Sequence, residues 1–115
     1  MTTTQHLNLT LLNSYLETLD VSVLQQMLSL YQQQSSIYLA AISTAQEQCH
    51  QPAWQEQCHK MKGAAASAGL SQVQQQLISM ERSSADWPTK LTQLQQLKQL
   101  NLDAIQAFKQ WLVTN

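Results

Sequence analysis

Apolar residues recur along this chain at intervals of three and four, the period of a helix with one buried face. Leu9, Leu12, Tyr15, Leu16 and Leu19 mark out a short first helix over Asn8 to Leu19. Asp20 is a good N-cap for a second, which runs through Val23, Leu24, Met27, Leu28, Leu30, Tyr31, Ile37, Tyr38, Leu39 and Ile42 to near Gln48. Pro52 suits the first turn of a third, where its missing N–H costs nothing. That helix carries Trp54, Cys58, Met61, Ala65 and Ala68, a stripe spaced 4, 3, 4 and 3. Gly69 ends or bends it, and Leu70 begins a fourth helix with Val73, Leu77, Ile78 and Met80. Ser83 to Asp86 reads as a polar turn. Asp86 or Trp87, ahead of Pro88, then opens a last helix holding Leu91, Leu94, Leu97, Leu102, Ile105, Phe108 and Trp111.

Nothing alternates with the period of a strand, and two glycines and two prolines leave few turns. The pattern predicts an all-α fold: an up-and-down antiparallel four-helix bundle with a short N-terminal covering helix, since short connections make antiparallel neighbours. At 115 residues, 43% of them apolar, residues 1–115 suffice for one core and one domain. The Gln clusters suggest low complexity, but the leucines between them keep helical spacing.

Charge narrows the function classes. With 11% charged residues and a net charge of −1, the basic footprint of a nucleic-acid binder is missing. No apolar run approaches the ~18 residues of a membrane span. The start Met1-Thr2-Thr3-Thr4-Gln5-His6 lacks the basic and apolar regions of a secretion signal, which predicts a cytoplasmic location. Cys49 and Cys58 each precede a histidine, so Cys49, His50, Cys58 and His59 form a conceivable metal set. Their spacing, however, matches no closed zinc site.

The sharpest candidate chemistry lies on the third helix. His59, Lys62 and Gly63 stand at offsets of three and four, hence on one face, with Ala66 beyond them and Lys60 adding local positive charge. This face lies to one side of the apolar stripe. An unperturbed imidazole has a nitrogen free to attack near neutral pH, with a pKa of ~6.5. Lys62 can place an ammonium against an added phosphoryl group. Glycine in a helix interior costs about 0.5–1 kcal/mol, so Gly63 implies either space for an approaching partner or close helix packing. The plainer readings are a surface histidine and a solvated lysine, as in a non-catalytic helical adaptor or scaffold bundle.

The run His59-Lys60-Met61-Lys62-Gly63-Ala64-Ala65-Ala66-Ser67-Ala68-Gly69 resembles the phosphoacceptor motif of histidine-containing phosphotransfer (HPt) domains. Within that family it looks closest to the terminal HPt domains of hybrid sensor histidine kinases of the anaerobic-respiration type. The resemblance implies a phosphorelay intermediate that takes a phosphoryl group from a receiver-domain aspartate onto His59 and passes it to another receiver. The partners would be receivers of response regulators and of a hybrid kinase, met by a monomer. Neither nucleic acid nor direct membrane contact is expected. No cofactor is implied for the chain itself, with Mg2+ expected on the receiver. A polar residue on the following helix touches the histidine in some such domains, and either Gln76 or Glu81 can fill that place. The motif departs from the His-Glu-hydrophobic-basic pattern of a kinase dimerisation helix, and two glycines cannot build a nucleotide lid. A phosphocarrier is therefore expected, not an ATP-using enzyme. It is either free-standing or the cytoplasmic end of a membrane-anchored sensor kinase.

Overall fold

In a computed structural model, residues 6–115 are described; the first five residues, read above for a leader, lie outside them. Five helices follow in order: α1 (Leu9–Leu16), α2 (Val21–Glu47), α3 (Gln51–Ser67), α4 (Ser71–Glu81) and α5 (Trp87–Val113). The described residues contain no strand, only an isolated antiparallel bridge between Leu7 and Leu70. α2 packs on α3 and α5, α3 on α4, and α4 on α5, so the contacts close into a ring. None of these helices is long and apolar enough to cross a membrane.

Local chemistry sets the boundaries. Asn8, Asp20 and Asp86 cap α1, α2 and α5 by accepting from the backbone N–H groups of Leu11, Val23 and Thr89. α1 is shorter than its apolar spacing predicts. It ends at Leu16, and Leu19 stands in the turn beyond, largely exposed. α3 ends in a Schellman motif: Leu70 N–H donates to the Ala65 carbonyl, Gly69 N–H to that of Ala66, and Gly69 takes φ +72°. α2 ends in the same way, with His50 N–H on Ala45 and Cys49 N–H on Gln46. There the left-handed residue is Cys49, at φ +53°, which no turn signal announces.

The predicted stripe of α3 is the centre of the core, with Trp54, Cys58, Met61, Ala65 and Ala68 all buried. Trp54 stacks edge-on against Trp87 with centroids 5.8 Å apart. Its indole N–H donates to the Met80 carbonyl at 2.8 Å, tying α3 to the end of α4. Several predicted core positions lie outside instead. Val23, Leu30 and Ile37 on α2 and Leu91 and Leu102 on α5 are exposed, because 27-residue helices carry more apolar side chains than one contact face can cover. The core also admits polar groups. Tyr31 donates to Asn101 Oδ1 at 2.6 Å, and Asn101 Nδ2 donates to Ser35 Oγ at 3.2 Å, between α2 and α5. Buried Lys90 donates to the Ala85 carbonyl at 2.6 Å and lies 4.8 Å above the Trp87 ring.

Candidate functional site

His59 stands mid-way along α3, one residue after buried Cys58 and therefore turned out of the core. Its side chain is 68% exposed. One turn on, Lys62 is half-buried and points across to the last residue of α4. That residue is Glu81. Its Oε1 lies 2.8 Å from Lys62 Nζ, and its Oε2 lies 3.4 Å from His59 Nδ1. One carboxylate thus bridges the imidazole and the ammonium. Contact with Lys62 holds the Glu81 carboxyl below its ordinary pKa, with His59 adding to the effect. Glu81 is positioned by the backbone around it: the Trp54–Met80 bond fixes the preceding residue, and Gln55 Nε2 reaches the Glu81 carbonyl at 3.5 Å.

Of the two polar residues considered on α4, the structure brings Glu81 to the histidine and not Gln76. Gln76 turns to α5, where its amide donates to the Gln93 carbonyl at 3.0 Å. Five residues apart, the two point about 140° away from each other around the α4 axis, so only one can face α3, and the sequence does not say which side α3 occupies. Lys60 is exposed and paired with Glu56 one turn back at 3.4 Å. Ala66 is half-buried and keeps the surface low two turns beyond His59.

Gly63 is exposed, and a Cβ built on it meets nothing within 4 Å. Close helix packing therefore does not explain this glycine. It opens instead onto a groove of about 500 Å³ between α2 and α3. Lys60, Gly63, Ala64 and Ser67 line the α3 side. Met27, Leu30, Gln34 and Tyr38 line the α2 side, and Tyr15 of α1 closes one end by donating to the Ser67 carbonyl at 2.8 Å. The exposed Leu30 and the half-buried Tyr38 share the apolar period of the buried α2 positions, so the sequence does not single them out as the rim of this groove.

The conceivable metal set does not come together. Cys58 is buried, and burial pushes its thiol up to about 12. His50 spends Nδ1 on capping α3, accepting from Ala53 N–H at 3.0 Å. No three His, Cys, Asp or Glu side chains converge as metal ligands among the described residues.

Residues 26–108 match the family of Hpt domains. Among solved structures, the chain is similar to the histidine-containing phosphotransfer domain of ArcB from Escherichia coli. The TM-score is 0.85 at 21% identity, over 95% of this chain and 94% of that one. A solution structure of the same domain of the anaerobic sensor kinase ArcB aligns with a TM-score of 0.85 at 20% identity, over 97% and 91% of the two chains. At these identities the likeness is one of fold. No curated protein sequence matches the chain.

Proposed function

The chain belongs to the Hpt domain family, histidine phosphotransfer in a phosphorelay is its function, and on that premise we propose that His59 is the phosphoacceptor. The carrying observation is the bridge by Glu81. With the Glu81 carboxylate 3.4 Å from Nδ1, the proton is favoured on that nitrogen and the lone pair on Nε2, in a side chain that is largely exposed. That lone pair attacks the phosphorus of a receiver's aspartyl phosphate. An N–P bond forms as the P–O bond breaks, and the electron pair leaves with the aspartate carboxylate. The reverse step on a second receiver restores neutral His59.

Lys62 supplies positive charge beside the transferring group. Gly63 and Ala66 keep the surface low enough for two proteins to approach in line, and Lys60 edges the approach. The receiver docks over His59 along the adjoining groove, with Leu30 and Tyr38 as its apolar rim. In this reading the chain is a monomeric phosphocarrier without an ATP site of its own. It needs no cofactor, the Mg2+ being held by the receiver. With receivers as its partners, the reading is of a cytoplasmic chain, free-standing or at the end of a sensor kinase, with no role for nucleic acid or membrane contact. The ring of contacts among α2 to α5, with α1 laid over one end, supports an up-and-down antiparallel four-helix bundle with a short N-terminal helix. One domain is the reading for residues 1–115, supported by that ring among the described residues.

The test is incubation with a phosphorylated receiver and detection of acid-labile phosphate on the chain. His59→Gln is expected to lose all transfer while keeping its helical circular dichroism, because so exposed a side chain contributes little packing. Transfer at the normal rate to His59→Gln refutes the assignment.

A further inference from the structure

His59, Glu81 and Lys62 change their charge relations when the phosphoryl group arrives. Before transfer, the Glu81 carboxylate is matched by Lys62 at 2.8 Å, and His59 at 3.4 Å is a weaker neighbour. Attack by Nε2 leaves the proton on Nδ1, so the ring becomes a phosphorylated imidazolium carrying a doubly negative phosphoryl group. Lys62, three residues from His59 on the same face and now held by Glu81 at 2.8 Å, would then be shared between two anions. To the extent that phosphoryl oxygens take its ammonium, the carboxylate is left with the ring N–H at Nδ1 as its close cation.

We propose that Glu81 is a positioning residue that keeps Nδ1 protonated in phosphorylated His59, and so makes the stored phosphoryl group labile. This inference rests on His59 as the phosphoacceptor and goes beyond it. Breaking the N–P bond is easier when the departing imidazole leaves neutral, with Nδ1–H in place, than when it leaves as an anion. The proton on Nδ1 therefore decides how readily phosphate moves on. In onward transfer the N–P electron pair returns to Nε2, and the phosphoryl group joins the receiver's carboxylate oxygen. In spontaneous loss, water takes the phosphoryl group and inorganic phosphate leaves. Neither step needs a further reactant.

The charged groups around the ring are few. From α4 only Glu81 contacts it; Arg82, next in sequence, is exposed and forms no ion pair among the described residues. On α3, Lys62 is the close cation, while Lys60 and Glu56 are paired with each other. The sole charged residue of α2 is Glu47, at its far end from the groove, and the titratable groups lining the groove on that side are the tyrosines Tyr31 and Tyr38. Glu81 is thus the one carboxylate able to hold the Nδ1 proton.

The experiment uses the intact chain phosphorylated with phosphoramidate, which needs no receiver. Ring nitrogen resonances of phosphorylated His59 are followed against pH for the native protein, Glu81→Gln and Glu81→Asp. An opposite charge this close shifts a pKa by about one unit or more, so Nδ1 in Glu81→Gln is expected to titrate about one pH unit lower. Above both titrations the protonated fraction then differs about tenfold, and phosphate loss from Glu81→Gln slows by the same factor. Glu81→Asp restores part of the shift, which a purely structural role would not do. Equal titration and equal lifetime in native protein and Glu81→Gln overturn the proposal. If His59 itself takes no phosphoryl group in the native protein, the phosphoacceptor assignment fails first and separately.

Discussion

Gly63 offers a perturbation whose two effects have opposite signs. The position is inside α3, with an ordinary helical backbone, and a side chain placed there meets no atom within 4 Å. No steric cost opposes substitution, so intrinsic helix propensity decides stability. Gly63→Ala is expected to stabilise the fold by about 1 kcal/mol. For a chain of this length that is a rise of roughly 4 °C in melting temperature. Gly63→Gln gains somewhat less but projects a long side chain into the groove beside His59. Misplacing reacting groups by about 1 Å can cost on the order of 100-fold, so transfer from a phosphorylated receiver is expected to fall by roughly 10- to 100-fold. Thermal melts and single-turnover transfer on the same preparations give both numbers. A lowered melting temperature refutes the open-space account, and an unchanged transfer rate for Gly63→Gln removes the groove from the docking surface. Gly69 supplies the contrast. Its φ is +72° and an added Cβ lies 3.1 Å from the Leu12 side chain, so Gly69→Ala is expected to destabilise by about 1–2 kcal/mol.

Three further outcomes follow from the geometry. Cys49→Gly should raise stability by about 1 kcal/mol in chemical denaturation, because a left-handed φ of +53° is strained for any residue with a Cβ; no gain would mean that the end of α2 relaxes without strain. Asn101→Leu should cost about 1–3 kcal/mol by leaving the buried Tyr31 hydroxyl without an acceptor, and adding Tyr31→Phe should recover part of that loss; a double variant weaker than the single refutes this account. The folded-state pKa of Glu81 is depressed by Lys62, so its contribution is present above the unfolded glutamate value of about 4.3 and vanishes as pH falls through the lower folded value. Urea unfolding of the native protein and Glu81→Gln should therefore differ at pH 7 and converge in acid, and a gap independent of pH counts against the ion pair.

Much of this arrangement was legible in the sequence, for identifiable reasons. The α3 stripe is strict because one helix face meets the core, and it turned His59, Lys62 and Gly63 outward without further information. Capping aspartates and Pro52 fixed helix starts to within a residue or two. The long helices were less legible. Val23, Leu30, Ile37 and Leu102 share the composition of core positions and differ only in what stands opposite them. The same holds for Gln76 and Glu81, which are both polar residues on α4. Only the packing of α4 between α3 and α5 sends one to Gln93 and the other to His59. Buried Lys90 and Asn101 break the usual rule that such residues face water, and each does so with a hydrogen-bond partner that spacing does not reveal.

The groove beside His59 has one formal charge on its walls, Lys60, and that ammonium is already engaged by Glu56. Such a surface exerts almost no pull beyond a Debye length of about 8 Å at physiological salt. If the receiver docks along this groove, encounter is expected in the unsteered regime, near roughly 10⁵–10⁶ M⁻¹s⁻¹, with little change on raising the ionic strength. Recognition is left to short-range fit.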